Sequence, residues 1–82
     1  MNDYYIVVFN NTIGAIEGEK VLKAEGLSVT IMPTPSIITQ SCGISIKFDE
    51  EDLDKIRLLI EKDALHIKHV YRKNHGDFEV VI

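Results

Sequence analysis

Tyr4-Tyr5-Ile6-Val7-Val8-Phe9 is an unbroken run of aromatic and β-branched residues, and nothing else in the chain constrains its fold as strongly. Such a run reads as a central strand covered on at least one face, which requires pairing strands on both sides and a helical layer above. The remaining segments supply both. Asn10-Asn11-Thr12 breaks the run and offers N-caps for a helix from about Ile13 to Ala24, since short polar side chains satisfy the first free helix N–H groups. Ala15, Gly18, Val21 and Leu22 fall near one side of that helix and Glu17, Glu19, Lys20, Lys23 and Glu25 mostly elsewhere. Gly14 and Gly18 cost helix propensity but allow close approach to a sheet, and Gly26 is placed to end the helix.

Ser28-Val29-Thr30-Ile31-Met32 alternates as a second strand. Pro33-Thr34-Pro35 stops it, because proline removes a ladder donor and restricts its predecessor. From Pro33 to Cys42 the chain is expected to loop for about ten residues, against the ~4–6 typical of small domains. Gly43 to Phe48 is the clearest strand, with Ile44, Ile46 and Phe48 facing in and Ser45 and Lys47 facing out. Asp49 is the expected cap of a second helix whose first turn holds Glu50, Glu51 and Asp52, where the helix dipole favours negative charge. Its buried stripe is predicted as Leu53, Ile56, Leu59, Ile60 and Ala64. Leu65 to Arg72 reads as a fourth strand, Asn74-His75-Gly76-Asp77 as a hairpin turn, and Phe78 to Ile82 as a short last strand.

The order βαββαβ, with room for an extra C-terminal strand, predicts an α+β ferredoxin-like sandwich: two helices on one face of an antiparallel sheet. No linker, low-complexity stretch or strong repeat interrupts residues 1–82, which read as one domain. A chain of 82 residues buries one modest core. Acidic residues outnumber basic ones 13 to 9 and the net charge is −4, which argues against nucleic acid or an anionic membrane surface as the main partner. No apolar run approaches the ~20 residues of a membrane span. Met1-Asn2-Asp3 lacks the basic start of a secretory signal. One cysteine excludes an internal disulfide, so a cytoplasmic, reducing compartment is the expected location.

That cysteine, Cys42, sits between Ser41 and Gly43 at the end of the proline-bearing loop. A thiol acts as nucleophile or carrier only as thiolate, so it needs access and nearby N–H dipoles or positive charge. The loop end supplies access, and the backbone N–H groups of Cys42, Gly43 and Ile44 are candidates for a small anion-binding nest. Lys47, five residues beyond Cys42, lies roughly 16 Å along an extended strand and is too far to activate it. The competing reading is a small buried apolar residue, the usual state of free cysteine. Dithiol exchange within the chain is excluded for want of a second thiol, whereas a persulfide or selenium adduct needs only one.

Several of these segments together resemble a known family. They are the opening strand, Ala15-Ile16-Glu17-Gly18-Glu19-Lys20-Val21-Leu22-Lys23, the pair Pro33 and Pro35 ahead of Ser41-Cys42-Gly43, then Ile46-Lys47-Phe48 with the acidic helix start. The family is the putative selenium/sulfur carrier protein-like family, a short bacterial domain also found joined to TusA-type sulfur-carrier domains. The resemblance runs from about Tyr5 to Tyr71, with Ser-Cys-Gly at its spacing from the prolines as the most specific part. It implies that Cys42 holds sulfur or selenium and that Ser41 and Gly43 shape its turn. It implies a donor and an acceptor protein as partners and no bound cofactor. The tail from about Arg72 lies beyond the match.

Other constellations are weaker. His66 and His69, three apart, point to opposite faces of a strand, and His75 lies in a turn, so no metal site is expected. Asp49-Glu50-Glu51-Asp52 lacks the ligand alternation and central glycine of a calcium loop. The chain therefore reads as a carrier or accessory domain more than a free-standing enzyme. The alternative is a non-catalytic ligand-binding or protein-interaction module with a structural cysteine, since fold alone does not choose. Either reading accommodates a homodimer through an exposed sheet edge.

Overall fold

The computed structural model describes residues 4–38 and 43–82. The elements are β1 (Tyr4–Val8), α1 (Thr12–Ala24), β2 (Thr30–Pro33), β3 (Ile44–Phe48), α2 (Leu53–Glu61), β4 (His69–Asn74) and β5 (Asp77–Val80). They build one five-stranded sheet in the order β2-β3-β1-β4-β5, and every neighbouring pair is antiparallel. The first four strands interleave as in the ferredoxin-like sandwich predicted above, and β5 extends the sheet beyond β4.

β1 is the central strand because both of its faces are covered. Tyr5, Val7 and Phe9 join Ile46, Phe48 and Val70 in the core beneath the helices. Ile6 and Val8, on the opposite face, are also fully buried. Tyr5 stacks on Phe48 across the β1–β3 pair with ring centroids 5.3 Å apart, an arrangement worth about 0.5–1.5 kcal/mol beyond area burial.

α1 begins where Asn11 Oδ1 accepts from the Gly14 N–H at 2.7 Å. It ends in a Schellman motif: Gly26 takes φ +82°, its N–H bonds the Lys23 carbonyl, and the Leu27 N–H bonds the Leu22 carbonyl. Gly18 lies against the sheet so closely that a Cβ there would stand 2.6 Å from the Phe9 ring. The close approach expected of the two helix glycines is thus made at Gly18. Gly14 instead lies beside its cap, where a Cβ would stand 3.3 Å from Asn11 Oδ1.

The second helix differs from expectation at both ends. Glu50–Asp52 form a 3₁₀ turn ahead of α2, and neither Asp49 nor Asp52 makes a side-chain capping bond. At the far end Asp63 adopts φ 63°. Its N–H bonds the Ile60 carbonyl and the Ala64 N–H bonds that of Leu59. This is a second Schellman closure, with Asp in the glycine position, and it swings Ala64 out to solvent. Ile56 and Leu59 carry the buried face, with Leu53 and Ile60 partly buried beside them.

Strand bounds shift relative to the sequence reading: Pro33, expected to open the loop, is the last paired residue of β2, and β5 covers Asp77–Val80 instead of Phe78 to Ile82. β2 starts at Thr30, and β4 starts at His69 instead of Leu65, because Leu65 and Ile67 pack on the core from the connection ahead of the strand. The hairpin at Asn74–Asp77 forms as expected: His75 (φ 54°) and Gly76 (φ 88°) are the two turn residues with positive φ that a type I′ turn needs. Past β5 the N–H groups of Val81 and Ile82 both point at the Val70 carbonyl, at 2.8 and 3.4 Å. This bulge lets both side chains pack toward the core instead of alternating.

Candidate functional site

Ser41 and Cys42 lie outside the described residues. What the structure does describe is the frame that carries them. β2 and β3 form a hairpin at one side of the sheet, with Pro33 opposite Ile44 as its last paired position. Proline is tolerated there because β2 is an edge strand. One step beyond, the Thr34 N–H donates to the Gly43 carbonyl at 3.0 Å. Thr34 Oγ1 and Ser45 Oγ are 2.6 Å apart, a part-buried hydroxyl pair across the same neck. The two ends of the segment holding Ser41 and Cys42 are therefore tied together by a backbone bond, a side-chain bond and the last rung of a β-ladder.

The described part of the loop is ordered by its second proline. The Pro35 carbonyl accepts from the Ile38 N–H at 3.0 Å, closing a turn that leaves Ile37 64% exposed. Gly43 is exposed, and a Cβ built on it would meet nothing within 4 Å.

Thr34 and Ser45 were not singled out from the sequence. Alternation puts Ser45 on the outward face of β3, yet it is fully buried. The available signal was Thr34 between two prolines, a polar residue in a stretch whose backbone is already restricted.

The histidines are placed apart from the neck. His66 precedes β4 and pairs with Asp63 at 2.9 Å, both well exposed. His69 Nδ1 is 3.1 Å from the Ile82 carbonyl, and its ring meets Tyr71 edge-on. His75 is in the β4–β5 turn. Among the described residues no group of three His, Cys, Asp or Glu side chains is positioned to hold a metal ion. No helix among them is long and apolar enough to cross a membrane.

Two surface cavities lie elsewhere. One, of about 500 Å³, opens between the end of α1 and the start of β2, with Lys23, Ser28, Thr30 and Asp49 in its wall. The other, of about 320 Å³, separates α1 from the residues before β4 and is lined by Glu17, Gly18, Leu65 and His66. Neither is lined by a described residue of the 33–43 segment.

The fold and the tied hairpin define an α+β sandwich of the ferredoxin-like kind whose β2–β3 connection includes Cys42 in its sequence. The chain belongs to the family described as "Putative Se/S carrier protein-like", which matches residues 4–72. No curated protein and no solved structure matches it. The match takes in both prolines, the Ser-Cys-Gly segment and the Thr34–Ser45 neck, and stops at Arg72, early in the β4–β5 hairpin.

Proposed function

We propose that the protein is a sulfur or selenium carrier in which the Cys42 thiolate is the carrying group. Membership of the carrier family is the observation that carries this reading. The geometry of the neck supports it: Thr34, Gly43 and Ser45 tie together the two ends of the segment that holds Cys42. Ser41 and Gly43 shape the turn beside the thiol, and Pro33 and Pro35 limit the conformations of the approaching chain.

In the transfer, the Cys42 thiolate attacks the outer sulfur of a donor persulfide. A new S–S bond forms to Cys42, the donor S–S bond breaks, and its electron pair leaves on the donor thiolate. An acceptor thiolate then attacks the outer sulfur on Cys42 in the same way, returning Cys42 as thiolate. Neither step needs a bound cofactor, and the protein takes no net oxidation or reduction through a cycle. Selenium follows the same course as a selenenyl sulfide.

The partners on this reading are a donor and an acceptor protein. A free single thiol suits a reducing compartment such as the bacterial cytoplasm. The sheet edges β2 and β5 are where a second copy would pair, and light scattering across a concentration series reads that. The reading is tested by alkylation of native protein against protein unfolded in urea. A carrier thiol reacts in the native state within a factor of a few of the unfolded rate. Reaction only after unfolding would leave Cys42 a structural residue.

A further inference from the structure

The sheet face turned away from the helices separates charge in a way the net charge of the chain conceals. Register puts Tyr4, Lys47, Tyr71, Lys73, Phe78 and Val80 together on this face, at the end away from the Thr34–Gly43 neck. No Asp or Glu faces this side from any of the five strands. The carboxylates within the strands, Asp77 and Glu79, alternate to the helix side, where Glu79 meets Arg72. The remaining described carboxylates lie on or beside α1 and α2. Asp49, directly after β3, lines a cavity with Lys47, and screening over about 8 Å at physiological salt weakens the field of the more distant carboxylates at this face.

Two cations converge here. Lys47 Nζ lies 4.7 Å and Lys73 Nζ 5.7 Å from the centroid of the Tyr4 ring, reaching it from the strands on either side of β1. Each ammonium group is drawn to the ring by its quadrupole. Lys47 and Val80 are exposed, while Tyr4, Tyr71, Lys73 and Phe78 are half-buried. The result is a pair of fixed positive charges bordered by apolar side chains.

We propose that this face docks an acidic segment of a partner protein, its carboxylates on Lys47 and Lys73 and its apolar side chains along Phe78 and Val80. Charge complementarity selects that occupant. A single-stranded nucleic acid fits less well, because bases need a free aromatic face. The Tyr4 ring is engaged by the lysines, and Tyr71 is met by the His69 ring. The inference does not rest on the chemistry of Cys42.

The full chain, labelled with ¹⁵N, is titrated with an oligo-glutamate peptide, with oligo-lysine and oligo-thymidylate in parallel. Oligo-glutamate is expected to shift the amides of Tyr4, Lys47, Tyr71 and Lys73, and added salt to reverse this. The double substitution Lys47→Glu with Lys73→Glu should weaken binding at least about tenfold, each exposed charge being worth a factor of a few. Lys47→Gln with Lys73→Gln, the milder pair, should weaken it less, and Lys55→Glu on α2 should leave it unchanged. Cys42→Ser should bind as wild type does, so a failed carrier reading and a failed docking reading are told apart. Shifts centred on helix-layer lysines, insensitivity to the double reversal, or tighter binding of oligo-thymidylate at this face would overturn the proposal.

Discussion

Replacing Gly18 with alanine tests how closely α1 is held to the sheet. The added Cβ would stand 2.6 Å from both Cε2 and Cζ of Phe9, and 3.5 Å from Leu65 Cδ1. Phe9 is fully buried, so its ring cannot retreat into solvent, and α1 or the ring must shift. Inserting a methyl group into a tight core costs about 1–3 kcal/mol. Alanine recovers about 1 kcal/mol of helix propensity over glycine. The net expectation for Gly18→Ala is destabilisation of about 0–2 kcal/mol, a Tm lower by up to roughly 8–16 °C for a domain of this size. Urea unfolding followed by far-UV circular dichroism reads the change as a lower midpoint at unchanged slope. Phe9→Leu made in the Gly18→Ala background should relieve the clash and couple favourably in a double-mutant cycle, by about 0.5 kcal/mol or more. A Gly18→Ala protein about 1 kcal/mol more stable than wild type would show that propensity alone governs the site. The close approach would then be refuted.

Two further substitutions probe the neck and the C-terminal hairpin. Ser45→Ala removes a fully buried hydroxyl 2.6 Å from that of Thr34. It should lower stability by about 1 kcal/mol and speed proteolytic nicking between residues 34 and 43, read by mass spectrometry of limited digests. Gly76→Ala puts a Cβ at φ 88°, where L-residues are strained by roughly 1–2 kcal/mol. A matching fall in the urea midpoint is expected.

Much of the fold was legible because local and global signals agree. The apolar run is buried on both faces from Tyr5 to Phe9, as a central strand requires. Gly26 and the Asn74–Asp77 turn adopt the positive-φ geometries for which their residues are suited. The misread boundaries have one cause, tertiary packing overriding a local pattern. Leu65 and Ile67 look like the start of a strand because they are apolar and alternate, but they pack on the core without pairing. Ala64 keeps the helical spacing, yet Asp63 ends the helix in a left-handed conformation more usual for glycine. Ser45 was unreadable for a further reason: its burial depends on a hydroxyl partner eleven positions away, at Thr34, and alternation carries no information about such pairs. The site was legible only as a location. Spacing gave the expectation of an accessible loop end at Ser41-Cys42-Gly43, of which Ser41 and Cys42 lie outside the described residues, while the hydroxyl pair between Thr34 and Ser45 became visible from the assembled hairpin.

The central claim is that Cys42 carries the transferred atom. Incubating the protein with a low-molecular-weight persulfide donor, removing the donor and recording intact mass tests it most directly. The account predicts one added sulfur per chain on wild type, released by a thiol acceptor, and none on Cys42→Ser. A wild-type protein that gains no sulfur while natively folded would contradict it.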